Sequence, residues 1–298
     1  MKVLISGASG LIGSALSARL QIDRNEVVRL VRYPPQGEGE VFWNPMSGSI
    51  DAIGMEGMDA VVHLAGENIA GGRWTEKRKQ RFRESRVGGT QLLCSALAQL
   101  AVPPRVLVCA SAIGYYGHCG DRLLNEEDGA GEGFLAGLVR DWEGATEVLA
   151  EKRIRVVLAR FGVVLSAEGG ALAKSLLPFR LGLGGKIGDG RQYMSWIALE
   201  DAVGATCHAL ACEEMVGPMN VVGPEPATNA EFTRVLGKVL KRPTLMPLPA
   251  GMARLMLGEM ADELLLASIR VAPTRLMETG YEFLYPELEG ALRHLLEG

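Results

Sequence analysis

Glycines near the N-terminus constrain the fold of this 298-residue chain more than any other feature. The segment Gly7-Ala8-Ser9-Gly10-Leu11-Ile12-Gly13 follows a short apolar run, residues 2–6, and opens a helical pattern over residues 11–20. Glycines at this spacing allow a tight strand-to-helix turn, and the first backbone N–H groups of the helix then face an anion. A strand, a glycine turn and a helix in this order predict a site for the pyrophosphate of a dinucleotide. A tight turn without a ligand is the alternative interpretation.

The apolar runs over the first 165 residues indicate the fold class. Short aliphatic runs alternate with helical patterns, which is typical of a parallel sheet with crossover helices. The sequence therefore predicts an α/β fold, a Rossmann-type doubly wound parallel sheet, with a smaller interleaved C-terminal domain. We predict a cofactor-binding domain over 1–168 and 198–222, and a substrate domain over 169–197 and 223–298. The predicted strands are 2–6, 26–31, 60–64, 105–110, 155–165 and 192–197, and the predicted helices are 11–20, 78–100, 134–152, 200–212 and 229–240.

Composition narrows the class of partner. Hydrophobic residues make up 48% of the chain and charged residues 22%, which is typical of a folded globular protein. The net charge of −4 provides no positive field for nucleic acid or for an anionic membrane. The five cysteines form no CxxC pair and no zinc spacing, so we expect no metal site and a cytoplasmic location. No apolar stretch approaches a membrane span or a signal peptide, and a small molecule is the expected partner.

The residue after the second predicted strand distinguishes between two cofactors. Dinucleotide-binding folds that select NAD place an acidic residue near this point, where it accepts hydrogen bonds from the ribose hydroxyls. This chain has Arg32 there. A guanidinium pairs instead with a 2′-phosphate, so the sequence predicts NADP(H) as the cofactor. An ordinary exposed arginine is the alternative.

Longer motifs resemble a known family. The chain resembles an extended short-chain dehydrogenase/reductase of the nucleoside-diphosphate-sugar epimerase type, and more narrowly an atypical subgroup of little-characterised epimerase-family proteins. The resemblance covers nearly the whole chain. It implies that the segment after the third predicted strand lines the cofactor, mostly through its backbone, and core packing is the alternative for Leu64 and Ala65. The residues that carry the resemblance are 6–13, 59–67, 85–87, 134–143, 188–201 and 280–283, and the implied cofactor contacts are Gly7, Ser9, Gly10, Leu11, Ile12, Gly13, Arg32, His63, Leu64, Ala65, Gly66 and Arg86.

The chain departs from this family in the catalytic residues. Typical members use a serine and a Tyr-x-x-x-Lys pair on one helix, often with an asparagine. Ser111 fits the serine position, and Arg86 stands in the asparagine-containing turn. The expected helix has no tyrosine, and neither Leu138 nor Val139 replaces the lysine. The resemblance therefore implies an oxidoreductase or isomerase that lacks the usual proton-transfer pair.

Substitutes for the missing pair follow the fourth predicted strand. Tyr115 and Tyr116 lie in the loop after it, where α/β folds gather their ligands, and either is a candidate proton donor beside Ser111. Packing beneath the loop is the alternative for both tyrosines. Asp141 and Glu143 are interpreted as surface or structural charges.

Two functions therefore remain open. The first is an NADP(H)-dependent oxidoreductase or epimerase acting on a small polar carbonyl or sugar-like compound, with Arg191 as a substrate-binding candidate. The second is an NADP(H)-binding sensor or structural partner without turnover. Methionines at 252, 256 and 260 either fill a core or support a homo-oligomer.

Overall fold

The structure, a computed structural model, describes residues 1–297. The strands are β1 Lys2–Ser6, β2 Glu26–Val31, β3 Glu40–Asn44, β4 Ser49–Ile50, β5 Ala60–His63, β6 Val106–Ala112, β7 Leu123–Leu124, β8 Arg155–Phe161, β9 Val163–Leu165, β10 Tyr193–Met194, β11 Trp196–Ala198, β12 Gly217–Val221, β13 Ala227–Thr228 and β14 Arg270–Val271. The helices are α1 Leu11–Ile22, α2 Glu76–Arg83, α3 Gly89–Leu97, α4 Phe134–Gly144, α5 Gly170–Arg180, α6 Leu199–Ala211, α7 Asn229–Leu240, α8 Ala250–Leu257, α9 Thr274–Glu278 and α10 Leu288–Glu297.

An eight-stranded sheet positions the site. Its strand order is β12-β8-β6-β5-β1-β2-β3-β4, and only the pair of β3 and β4 is antiparallel. The chain adds β2 on one side of β1 and later adds β5 on the other side, so that Val3 lies between Val27 and Ala60. In such sheets a ligand crevice opens at this reversal, outside the carboxyl ends of the strands. The predicted α/β class and doubly wound parallel sheet are confirmed.

Helices cover both faces of the sheet. Leu16 of α1 and Ala202 of α6 pack on one face, and Leu93 of α3 packs on the other, all fully buried. A third core joins β11 to α7 through Trp196 and Leu236. This core packs the C-terminal elements against one another. The bounds of the predicted cofactor-binding and substrate domains stay a prediction.

The predicted helix over 78–100 is present as one helical run over 76–97, which contains a π-helical turn that the sequence did not predict. Thr75 accepts a hydrogen bond from the Arg78 backbone N–H and so caps α2 at Glu76. A π-helical turn, Glu84–Gly88, then separates α2 from α3. Such turns are rare and occur frequently at functional sites.

Three further predicted elements are divided, and one of them is the predicted strand 192–197, which forms β10 and β11 in two different sheets. The predicted strand 155–165 divides at Gly162 into β8 and β9. The Ser195 backbone approaches Gly162 so closely that a Cβ there would lie 2.6 Å from the Ser195 carbonyl oxygen. This close approach lets β9 leave the main sheet and pair with β11. The predicted helix 134–152 ends at Gly144, and only a short 3-10 turn, Glu147–Leu149, follows it.

Helix length bears on membrane insertion. Among residues 1–297, no helix is both long and apolar enough to cross a membrane.

Of the three spaced methionines, Met252 and Met256 are exposed on α8 and Met260 is buried. A role for the two exposed side chains in self-association stays a prediction.

Candidate functional site

The predicted glycine turn meets the turn after β5. Gly7 has a φ of +71°, and a Cβ on it would lie 2.8 Å from the Leu64 carbonyl carbon. Only glycine combines this conformation with this approach. The turn after β1 and the turn after β5 therefore lie against each other at the reversal of strand order.

The start of α1 suits an anion. Gly13 packs so closely that a Cβ there would lie 2.2 Å from the Gly7 carbonyl oxygen, which draws the helix start onto the turn. Gly10 caps α1 without any side-chain hydrogen bond, and Ser9 and Gly10 are exposed. The first N–H groups of the helix thus remain available at the positive end of its dipole. Leu11 and Ile12 of the predicted contacts are half-buried beside them.

His63 supports this turn from beneath. Its Nδ1 lies 2.6 Å from Ser6 Oγ, which accepts hydrogen bonds from the Leu64 and Ala65 backbone N–H groups. Its Nε2 lies 3.0 Å from Thr90 Oγ1. With 0% of the residue exposed, His63 has no surface that faces the crevice. We therefore revise its predicted role from a direct cofactor contact to support of the turn.

Burial also predicts a pH dependence of folding. Loss of hydration lowers the pKa of His63 from its ordinary value of 6.5 to about 4. Below pH 6.5 the unfolded chain binds a proton that the folded chain refuses, so stability falls as the pH falls. We expect the His63 contribution to drop by about 2 kcal/mol between pH 7 and pH 5.

Urea unfolding at the two pH values measures this effect. His63→Gln removes the titrating group, so its loss of stability over this range is expected to be about 2 kcal/mol smaller than that of the wild type. His208, whose pKa burial also lowers, titrates in both proteins and cancels in the comparison. An equal pH dependence in both proteins would show that His63 is accessible to protons in the folded state.

An ion pair lies beneath the carboxyl end of β6. Glu143 of α4 accepts hydrogen bonds at 2.8 Å from Nε and from Nη2 of Arg160, a residue of β8. Ser111 Oγ donates to the same carboxylate at 2.5 Å. Burial alone would lower the pKa of Arg160, but its bonds to Glu143 outweigh burial and raise that pKa. Of the two interpretations of Glu143, surface charge and structural charge, the structure supports the second, because its side chain is only 10% exposed and binds Arg160. Asp141 instead pairs with Arg83 on the other side of α4.

The two predicted tyrosines lie in different environments. Tyr116 is 3% exposed, and its hydroxyl donates to Asn220 and accepts from Arg160. Burial raises the pKa of Tyr116 to about 12. We therefore revise its predicted catalytic role to one of positioning Arg160. Tyr115 is half-buried, its ring lies 3.6 Å from the Arg160 Cζ, and its hydroxyl has no hydrogen-bond partner within residues 1–297.

Helix α4 carries neither a tyrosine nor a lysine. Leu138 and Val139 are buried, and Leu135 lines a cavity of about 330 Å³. The first N–H groups of α4 donate to Glu263, which comes from a π-helical turn, Ala261–Leu266. The two positions that the resemblance compares with the lysine, Leu138 and Val139, are thus apolar and buried.

The cavity continues towards Arg191. A second cavity of about 420 Å³, which Arg191 lines, shares His118 and Arg254 with the first. The Nδ1 atom of His118 accepts from the Ser268 backbone N–H, so in the neutral ring Nε2 carries the proton. Sequence reasoning missed His118 and Arg254. The position of His118 in the loop after β6 could have identified it from the sequence. No local sequence pattern identified Arg254.

The remaining predicted positions frame the crevice. Arg32 is exposed one residue past β2 and forms no ion pair within residues 1–297. Gly66 is exposed, and a Cβ on it would lie 3.4 Å from Cζ of Arg86. In the same described residues, no group of three or more His, Cys, Asp or Glu side chains is placed to hold a metal ion.

Known proteins share this architecture. A family model described as the NAD dependent epimerase/dehydratase family matches residues 3–223, and a domain of unknown function, DUF1731, matches residues 248–295. An epimerase family protein of Mycobacterium bovis is 47% identical over 290 residues, which cover 97% of this chain and 96% of that protein. The crystal structure of human epimerase family protein SDR39U1 with NADPH has a TM-score of 0.91 and 38% identity, covering 100% of this chain and 99% of that one.

A bacterial structure extends the comparison. The nucleoside-diphosphate sugar epimerase of Corynebacterium glutamicum has a TM-score of 0.82 and 37% identity, and the match covers 99% of this chain and 58% of that one. These matches confirm the resemblance that the motifs indicate. The chain therefore belongs to the NAD dependent epimerase/dehydratase family, as an atypical extended short-chain dehydrogenase/reductase.

Proposed function

We propose that the protein is an NADP(H)-dependent oxidoreductase that acts on a small polar carbonyl or sugar-like compound. The single observation that carries the proposal is the uncapped start of α1 beside the glycine turn, with Arg32 at the end of the next strand. The first feature suits a pyrophosphate and the second suits a 2′-phosphate. The human relative whose crystal structure contains NADPH supports this cofactor.

Arg32 is the proposed selector between NADP(H) and NAD(H). Its guanidinium is exposed, and no carboxylate within residues 1–297 pairs with it. A 2′-phosphate accepts two parallel hydrogen bonds from such a group, whereas a 2′-hydroxyl offers no charge to pair with. NADP(H) therefore gains affinity at this position that NAD(H) does not.

Exchange of this charge is expected to reverse the preference. In Arg32→Glu the carboxylate repels a 2′-phosphate and accepts the ribose hydroxyls, so the ratio of NADPH to NADH affinity falls by about 100-fold or more. Titration calorimetry of both cofactors measures the ratio.

Arg153→Glu is the matched control. Arg153 is exposed just before β8, at the amino end of the parallel strands, so this variant makes the same change of charge away from the crevice. Its affinity ratio is expected to equal that of the wild type. If Arg32→Glu also kept the wild-type ratio, Arg32 would not be the selector.

Ser111 and Tyr115 are the proposed reacting side chains. Bound NADP(H) supplies or removes a hydride at its nicotinamide ring. Ser111 is only 3% exposed and its Oγ donates its proton to Glu143, so its remaining lone pairs are the part of the side chain that we propose to accept from a substrate hydroxyl. Tyr115 has a free hydroxyl, and Arg160 fixes its ring, so Tyr115 is the proposed donor of the proton to a substrate oxygen.

The substrate is proposed to occupy the two joined cavities. Together they extend from Leu135 past His118 to Arg191. His118 Nε2 and the Arg191 guanidinium both donate hydrogen bonds, which suits an oxygen-rich compound. Arg254 is held by Asp262 at 2.8 Å and lines the wall between the two cavities.

A sensor without turnover is the second candidate. Buried Leu138 and Val139 on α4 favour it, because no lysine there can assist a proton donor. The two candidates share the cofactor and differ in chemistry. Only the oxidoreductase transfers deuterium from the nicotinamide ring of labelled NADPH to a second compound.

A further inference from the structure

Arg86 brings a half-buried positive charge, with a fully buried Nη1 atom, to the crevice from the π-helical turn between α2 and α3. We propose that its guanidinium pairs with the phosphate on the nicotinamide side of the bound dinucleotide, and so supplies the cation that α4 lacks. The inference rests on the proposed binding of NADP(H), and it assigns a distinct half of that cofactor to Arg86.

The guanidinium has no counter-ion. Its Nη1 is buried and has no hydrogen-bond partner, and no carboxylate within residues 1–297 lies in ion-pair distance of it. The nearby Glu67 carboxylate lies 3.6 Å from Arg81 instead. Burial lowers the pKa of Arg86 to about 10, so the group still carries its charge at neutral pH. A buried charge without a partner is costly, which favours an anion beside it.

The surrounding residues hold the guanidinium against the cofactor turn. Its Cζ lies 5.2 Å from the centre of the Trp142 ring, a cation–π contact that fixes one side of the group. Gly66 is also close to the group, since a Cβ on it would lie 3.4 Å from the same atom. Gly66 is two residues beyond Leu64, which lies against Gly7. The charge of Arg86 is therefore directed along the turn that faces the start of α1.

The position of α4 identifies the half of the dinucleotide. Trp142 precedes Glu143, which accepts the hydrogen bond from Ser111. Arg86 thus lies on the side of the crevice that holds the proposed reacting groups. Arg32 follows β2 on the opposite side of β1, where the adenosine half belongs. The phosphate nearest Arg86 is therefore the one that carries the nicotinamide ribose.

Two probes separate the halves of the cofactor. NADPH carries both halves, whereas 2′,5′-ADP carries the adenosine half and the 2′-phosphate alone. We expect Arg86→Met to weaken NADPH binding by ~10-fold to 100-fold, the effect of losing a charged hydrogen bond, while 2′,5′-ADP binding changes by less than about twofold. Arg86→Lys keeps the charge but loses the forked geometry, so its loss of NADPH affinity is expected to be smaller.

Arg32→Met provides the matched contrast, because it is expected to weaken binding of both probes. Thermal unfolding verifies that each variant is folded, and Arg86→Gln, which also removes the charge, gives the same contrast should the methionine variant not fold. Unchanged NADPH affinity in a folded variant that lacks the charge, or an equal loss for both probes, would overturn the assignment. Failure of the wild type to bind NADPH at all would instead reject the proposed cofactor, and the Arg86 assignment with it.

Discussion

Replacement of Gly10 by aspartate is expected to abolish NADP(H) binding without weakening the fold. Gly10 caps α1 at a φ of −80°, which any residue adopts, and no side chain fills the cap. An aspartate there accepts hydrogen bonds from the first N–H groups of the helix, the same groups that are proposed to bind the pyrophosphate. Its charge also opposes the phosphates. We expect NADPH affinity to fall on the order of 1000-fold, measured by titration calorimetry.

The stability of the Gly10→Asp variant is expected to rise, although its affinity for NADPH falls. Aspartate is a better helix cap than glycine, so the free energy of unfolding is expected to rise by about 0.3 kcal/mol. Gly10→Ala adds a side chain without a charge, and its Cβ meets only the Gly7 carbonyl oxygen, at 3.3 Å. The alanine variant is therefore expected to keep most of its affinity for NADPH. Equal affinity in the aspartate variant and the wild type would place the pyrophosphate elsewhere.

The second large effect is expected at Arg160. Its side chain is 4% exposed, and it binds Glu143 through two nitrogens and Tyr116 through the third. Arg160→Met leaves the Glu143 carboxylate buried without its counter-ion, which costs about 3–5 kcal/mol. Urea unfolding at pH 7 is expected to show this loss in the free energy of unfolding.

A double variant separates the ion pair from the packing. In Arg160→Met/Glu143→Met no unpaired charge remains, so the double variant is expected to be more stable than Arg160→Met alone, with a coupling of about 2 kcal/mol. Additive losses would show that the pair contributes by packing alone. A loss below about 1 kcal/mol in the single variant would mean that water reaches Glu143.

Local patterns in the sequence predicted the fold and the glycine turn at the reversal of strand order. Three features lie close together in the chain: the strand β1, the glycine turn after it and Arg32 after β2. Their spacing in the sequence was therefore enough to predict their relative positions. The strand ends also located Ser111 correctly at the carboxyl end of β6. By contrast, the break at Gly162 depends on a contact with the distant Ser195, which the hydrophobic periodicity of the sequence does not show.

The charge network could not be predicted from local patterns. Glu143 is on α4, but its role depends on Arg160 from β8 and on Ser111 from β6. His63 has the position of a ligand contact, yet a hydrogen-bond network with Ser6 and Thr90 takes both of its ring nitrogens. In each case, tertiary packing determines which way a polar side chain points.

Deuterium transfer from NADPH tests the proposed oxidoreductase most directly. The purified protein is incubated with a metabolite extract and with NADPH deuterated on both faces of the nicotinamide C4, and mass spectrometry follows the label. We predict that the wild type transfers deuterium to one small polar compound, that Gly10→Asp transfers none, and that Tyr115→Phe slows transfer by about 100-fold or more while keeping NADPH affinity. Absence of label from every compound, in a wild-type protein that binds NADPH, would contradict the oxidoreductase and favour the sensor.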